Sequence, residues 1–376
     1  MKMPFVDLNP AMHAPAHQPM KTREVAAHLG EVASLFPFLG SMTQHDLLAL
    51  IHAELGNAEA LDDFQPYGAH YAKAVGPETI LHIISGNTPA AGLQSVIRGL
   101  LLGAHNLCKI PSSGLPELYE FRHTLPPSLA ARVEIKRELA PEWLEQANAV
   151  IVFGSDSTIA EFRSRIRPGQ IFVPHGHKLS FGIIFDDTPF ASAVGAARDA
   201  SIFDQQGCLS PHVFFVLKDP LAYAAKLAAE MERLHARTPR GPISLSEANA
   251  IRNERAEFTF RLANDEPVAI FQSTDSTAWT VAFDALPGFP RSPLNRFIYV
   301  KPFPGDFAEA LAGVRPHLSC AGIWPATLEN ARFAADLGVS RICPIGRMQL
   351  PPATWHQDGQ QALAALVRWI DCETGA

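Results

Sequence analysis

The chain has 376 residues, 47% hydrophobic and 18% charged, enough to bury a sizeable core in two or three domains. Its 31 Lys and Arg stand against 38 Asp and Glu, and a net charge of −7 argues against a general nucleic-acid binder, whose affinity rests on cations displacing counterions. Five cysteines, Cys108, Cys208, Cys320, Cys343 and Cys372, are odd in number and widely spaced; they read as free thiols of a reducing compartment, not as a disulfide framework or a zinc site. Residues 1–20 contain no apolar signal core, and no apolar run reaches the ~18 residues of a membrane span. The expectation is a cytoplasmic chain with no membrane span and no bound metal.

Residues 79–85 (TILHIIS) read as a buried strand. Gly86-Asn87-Thr88-Pro89 then turns the chain into a helix to about Leu102, with Pro89 near the first helical position, where its missing N–H leaves no bond unmade. Strands follow at 106–110 and 149–153, the second leading through Gly154-Ser155-Asp156-Ser157 into a helix to about Ile166. A short strand at 170–173 runs into His175-Gly176-His177-Lys178, and another at 179–185 opens the second half. There the pattern gives a helix at 189–203, a strand at 212–217 and an amphipathic helix at 220–236. Strands near 268–271, 279–283, 297–300 and 317–323 come next, then a long polar loop at 346–359 and a final helix at 360–369. This alternation predicts an α/β protein of two lobes, divided at 178, with parallel sheet flanked by helices.

Several residues sit where such a fold does chemistry. Cys208 lies in Phe203-Asp204-Gln205-Gln206-Gly207-Cys208-Leu209-Ser210-Pro211, a tight glycine turn between helix and strand that lets a thiol project. The bland alternative for any cysteine is a small buried hydrophobe. Asn87 follows the first strand, where open α/β sheets place ligand loops; it is either a turn residue or an amide donor to an oxyanion. Lys109 ends the next strand, where dinucleotide folds hold a residue against the adenosine ribose, and a cation suits a 2′-phosphate; otherwise it is a solvated strand-end lysine. Gly154-Ser155 opens a helix whose free N–H groups suit a pyrophosphate, although the chain has no G-x-G-x-x-G loop after its first strand. His175, His177 and His212 are candidates to tune the thiol; the alternative for the His175-x-His177 pair is a metal-ligand pair, for which the sequence offers no third ligand nearby.

Taken in order, these landmarks resemble the aldehyde dehydrogenase superfamily, and within it the long-chain acyl-CoA reductase branch, the fatty acid reductase of bacterial luminescence systems. The resemblance runs from His82-Ile83-Ile84-Ser85-Gly86-Asn87-Thr88-Pro89 through Ile97-Arg98-Gly99-Leu100-Leu101, Lys109-Ile110-Pro111-Ser112, His175-Gly176-His177-Lys178 and Asp204-Gln205-Gln206-Gly207-Cys208. It continues to Gly346-Arg347-Met348, Pro351-Pro352 and Trp355-His356-Gln357-Asp358-Gly359. It implies a Rossmann-like nicotinamide cofactor-binding domain at 1–178, a catalytic domain at 179–345, and a C-terminal segment at 346–376 returning to the first, with the active site in the cleft between the lobes. It implies Cys208 as the acylated nucleophile, Asn87 as the oxyanion amide, Lys109 and Ser112 near the adenosine ribose, and Gly154 and Ser155 at the pyrophosphate. His177 is taken as the histidine of the catalytic set.

Two departures from the pattern matter. Oxidising members of the superfamily carry a Glu shortly before a Gly-Gly-Lys that activates the hydrolytic water; the matching stretch here, Val173-Pro174-His175-Gly176-His177-Lys178, has no carboxylate. The chain is also shorter than typical members, which implies reduced N-terminal elements and a reduced oligomerisation hairpin. The expected function is NADPH-dependent reduction of an acyl-CoA or other acyl thioester to the aldehyde through a cysteine acyl-enzyme. An acyl-protein synthetase, an acyl carrier protein and a homo-oligomer stay open as partners. The rival readings are a cysteine acyltransferase or thioesterase without hydride transfer, and a non-catalytic scaffold.

Overall fold

The computed structural model describes residues 20–86, 89–187 and 190–374. Strands β1 (Gln65–Tyr67) and β2 (His70–Val75) form a hairpin. Strands β3 (Thr79–Ile83), β4 (His105–Lys109), β5 (Val133–Lys136), β6 (Ala149–Phe153) and β7 (Ile171–His175) make a parallel sheet in the order β5-β4-β3-β6-β7. Parallel neighbours need long crossovers, which is why helices alternate with these strands in the sequence. Strand β6 is buried throughout and reads accordingly as the unbroken apolar run AVIVF.

The larger sheet holds β8 (Leu179–Ile184), β9 (Pro211–Val216), β10 (Val268–Gln272), β11 (Thr280–Asp284), β12 (Phe297–Pro302), β13 (Leu318–Trp324) and β14 (Arg341–Pro344). Its order is β10-β11-β12-β9-β8-β13-β14, parallel except for the antiparallel β10–β11 edge. The first sheet ends at His175 and the second starts at Leu179, so only Gly176-His177-Lys178 separates them. A last strand, β15 (Arg368–Cys372), returns to pair antiparallel with β2.

Packing of the first sheet turns on a buried polar knot. His82 in β3 is fully buried, with Nδ1 2.9 Å from Ser95 Oγ and Nε2 2.9 Å from Asn106 Oδ1. The Asn106 amide nitrogen donates to Ala104 O at 2.9 Å, so its oxygen accepts, and the Nε2–H tautomer of His82 satisfies the set. Burial pulls this imidazole down to about 4, which keeps it neutral and tied to β4 and to the helix Pro89–Leu101. Gly99 lets that helix lie against β4, since a Cβ there would overlap the Asn106 amide.

The expected helix at 360–369 does not form. Leu363 and Leu366 are buried at a helical spacing, which is what the sequence pattern registers. The Glu54 carboxylate instead accepts the N–H groups of Ala362, Leu363 and Ala364 at 2.9, 2.6 and 3.0 Å, and the chain then extends as β15. The helix expected at 189–203 is observed as Ser192–Ser201; Pro189 lies outside the described residues. Helices Thr22–Ala33 and Gln44–Leu55 and strands β1, β2, β5 and β14 were not apparent from the sequence. Among the described residues no single helix is long and apolar enough to cross a membrane.

Candidate active site

In the five-stranded sheet, β4 and β5 lie to one side of β3 and β6 and β7 to the other, so the topological switch point falls between β3 and β6. A crevice opens at the carboxyl ends of strands at such a point. Ser85 follows β3, Gly154 and Ser155 follow β6, and His175 ends β7; all line a cleft of about 560 Å³. Its opposite wall comes from the amino ends of the second sheet: Lys178 before β8, Cys208 before β9, Leu294 before β12 and His317 before β13. The cleft is thus where the carboxyl edge of one sheet faces the amino edge of the other.

Of the five cysteines, all described, Cys208 is the exposed one; Cys108, Cys320 and Cys343 are buried and Cys372 is half-buried. Cys208 and Leu209 occupy the centre of a turn closed by the Ser210 N–H donating to Gly207 O at 2.9 Å. Ser180 in β8 donates to Cys208 O at 2.7 Å and accepts the Cys320 N–H at 3.2 Å, which pins the turn to the sheet below it. The cleft walls and the Asp358 carboxylate push the thiol above its ordinary value, opposed by the N–H groups of Cys208 and Leu209 and by Lys178.

The approach to this turn is unusual. Phe203, Asp204 and Gln205 have φ of 54°, 49° and 67°, and across from them Leu294, Asn295 and Arg296 have φ of 61°, 57° and 66°. Consecutive left-handed residues with side chains cost conformational energy and persist only where the surroundings hold them. Here the two stretches hold each other: Arg296 Nε donates to Asp204 Oδ1 at 2.7 Å, and the Gln206 amide donates to Asn295 Oδ1 at 3.0 Å. The buried Gln205 amide donates to Pro211 O at 2.8 Å and to Phe297 O at 2.9 Å.

Four histidines enter the same cleft. His175 Nδ1 lies 2.7 Å from Asp358 Oδ2. The His177 and His317 rings are 6.0 Å apart, and His317 Nδ1 donates to His177 O at 3.3 Å. Burial, with a smaller contribution from His177, pulls His212 down to about 4, so it stands neutral beside the nucleophile turn.

The residues assigned to a cofactor separate into two groups. Gly154 and Ser155 line the cleft; Ser155 caps the helix Asp156–Arg163 by accepting the Thr158 N–H at 3.3 Å. A Cβ at Gly154 would press on the Thr158 side chain at 3.0 Å, so the turn after β6 stays bare above first-turn N–H groups that lack helical acceptors. Lys109, at the end of β4, and Ser112, in an exposed turn closed by Gly114 N–H to Pro111 O at 2.9 Å, lie further along the same sheet edge. Neither lines the cleft, and the Lys109 ammonium has no hydrogen bond or ion pair among the described residues. Asn87 lies outside the described residues.

On its other side Cys208 borders a second, smaller and mostly apolar hollow of about 40 Å³, walled by Phe38, Ala91, Phe203, Leu209, Pro351 and Trp355, with Gln94, Gln349 and Gln357 completing it. Phe38 and Phe203 meet edge-to-face at 6.5 Å, joining the N-terminal helical region to the nucleophile turn. One sulfur therefore stands between a polar cleft and an apolar hollow. Sequence reasoning did not assign roles to Asp358, His317 or Phe38; the only available signal was Gln357-Asp358 within a motif quoted for its resemblance.

The fold is that of aldehyde dehydrogenases. Aldehyde dehydrogenase 21 of Physcomitrella patens superposes with a TM-score of 0.64 at 13% identity, covering 95% of this chain and 87% of its own. Aldehyde dehydrogenase C of Pseudomonas syringae, solved with NAD+ and octanal, superposes with a TM-score of 0.63 at 15% identity, covering 95% and 86%. The chain belongs to the LuxC acyl-CoA reductase family, whose pattern matches residues 23–369. It is 26% identical over 349 residues to the long-chain acyl-protein thioester reductase of Aliivibrio fischeri, covering 87% of this chain and 70% of that one. The long-chain acyl-protein thioester reductase 2 of Photobacterium leiognathi is 22% identical over 346 residues, with the same coverage.

Proposed function

We propose that this acyl-CoA reductase forms an acyl-enzyme on Cys208 and releases it as the aldehyde, using NADPH. The observation that carries the reading is an exposed thiol set between a polar cleft at a topological switch point and an apolar hollow. In this reading the Cys208 sulfur attacks the thioester carbonyl and the carrier thiol leaves, an exchange of one thioester for another. The Asn87 amide and the Cys208 N–H hold the oxyanion, a pair in which one donor is worth about 2.7–4 kcal/mol in the transition state. The hollow beside Phe38 and Trp355 receives the start of the acyl chain, which suits a fatty acyl group better than a charged one.

The bare Gly154 turn and the Ser155-capped helix suit a dinucleotide pyrophosphate, and the Lys109 ammonium, with Ser112, suits the ribose 2′-phosphate. On this reading cofactor binding belongs to residues 1–178 and the nucleophile to 179–345, with 346–376 returning to the first domain. The cofactor, when bound, supplies the hydride that turns the acyl thioester into an aldehyde. The stretch Val173–Lys178 contributes no carboxylate that would direct water at the acyl group.

The test is a mixture of enzyme, acyl-CoA and NADPH followed by three readouts. The reading expects reduced cofactor consumed, free coenzyme A thiol released and aldehyde formed in equal amounts. Release of thiol with no loss of reduced cofactor would replace the reductase by an acyltransferase or thioesterase.

A further inference from the structure

The cleft contains a buried pair that the proposed chemistry leaves without a task. The His175 ring lies flat on Phe153, with centroids 4.6 Å apart and planes 13° from parallel. Its Nδ1 is 2.7 Å from Asp358 Oδ2, and the two side chains are only 10% and 5% exposed. A carboxylate accepts only, so Nδ1 carries the proton and Nε2 is left with a free lone pair. That nitrogen has no partner among the described residues, and His175 lines the cleft beside Cys208.

Two features show that the pair is held at a cost in stability. Asp358 Oδ1 is buried with no partner, so the carboxylate is desolvated more than its one bond to His175 offsets. Asp358 also has a φ of 55°, a left-handed conformation unfavourable for a residue with a side chain. The chain accepts both to bring a carboxylate from 183 residues away onto one face of the ring. His177, two residues further on, lines the same cleft with no carboxylate beside it among the described residues.

We infer that His175, oriented by Asp358, is the general acid and base that moves the thiol proton during acyl transfer to Cys208. The inference rests on the reading of Cys208 as nucleophile. As the Cys208 sulfur bonds to the thioester carbon, its proton passes to His175 Nε2. When the tetrahedral adduct expels the carrier sulfur, the bond from carbon to that sulfur breaks, and the imidazolium returns the proton to it. Atoms and charge balance, no water is consumed, and Asp358 keeps its negative charge throughout, steadying the imidazolium. Such a base is needed because the same carboxylate and the cleft walls disfavour a resting thiolate.

His175→Gln and Asp358→Asn, made in the full chain, test this by separating two steps. Acylation is timed by rapid quench and intact mass with acyl-CoA alone, and reduction is timed by adding NADPH to enzyme acylated beforehand. His175→Gln should slow acylation by about 10²–10⁴-fold and leave reduction of the acyl-enzyme within about threefold of the parent. Asp358→Asn should slow acylation by about tenfold or more yet speed iodoacetamide alkylation of Cys208 at neutral pH, because a negative charge near the sulfur is gone. Acylation within about threefold of the parent in both variants overturns the assignment. Loss of acylation and reduction by the same factor marks a structural role and overturns it too. Failure of the parent itself to acylate would instead overturn the Cys208 reading.

Discussion

On one side of Cys208 the wall is made largely of strand ends and carries ionisable groups, Lys178 and His175 from those ends and Asp358 from the C-terminal loop. On the other it is made of Phe38, Phe203, Leu209 and Trp355, and the space is far smaller. The polar side is built by sheet topology, from the edges of two parallel sheets. The apolar side is built by rings and loops that no strand positions, so its size depends on a few side chains. The contrast teaches that the sulfur's electrostatics and the acyl group's fit have separate determinants, and that each is open to change without the other.

The largest effect comes from removing the atom both sides share. Cys208→Ala should lower aldehyde formation by about 10⁴-fold or more at unchanged folding, measured by turnover alongside circular dichroism. Activity within about tenfold of the parent would place the nucleophile elsewhere. Next, the polar side should govern the thiol. With its value raised above the ordinary ~8.5, alkylation of Cys208 should keep climbing about tenfold per pH unit through pH 9. The sign follows from the thiolate being the reacting form: a raised value moves the plateau to higher pH. Peptide mapping of labelled enzyme isolates the Cys208 signal from the other thiols, and a Cys208 plateau below pH 8 would contradict the electrostatics described.

Opening the apolar side should leave that profile alone. Phe38→Ala should shift the ratio of kcat/KM between long and short acyl-CoA substrates about tenfold towards the longer chain, with KM for NADPH unchanged. An identical chain-length profile would remove Phe38 from the acyl path. The smallest effect lies furthest from the sulfur: Lys109→Ala should raise KM for NADPH about fivefold and for NADH little, and equal changes would end its assignment to a 2′-phosphate.

What the sequence revealed of this arrangement was local. Strand β3 and the helix at Pro89 were readable because an apolar run meets a proline that fits a first helical turn, and β6 because a strand buried on both faces has no polar alternation. Gly154-Ser155 and the turn at Cys208 were marked by glycine. The left-handed stretches at 203–205 and 294–296 carried no such mark, since Phe, Asp, Gln, Leu, Asn and Arg occupy positions where glycine would be the usual signal. They exist through contacts such as Arg296 with Asp204, 92 residues apart. The same holds for Asp358, which sequence distance hides from His175, and for the segment before β15, where the Glu54 carboxylate takes the N–H groups of Ala362, Leu363 and Ala364 in place of the expected helix.

The most direct measurement is the intact mass of the parent and of Cys208→Ala after incubation with acyl-CoA, before and after NADPH is added. The parent should gain one acyl group, mapped to the peptide of Cys208, and lose it as aldehyde when NADPH arrives, while the variant gains none. An acyl group on the variant equal to that on the parent, or a parent adduct that NADPH leaves in place, would contradict the account.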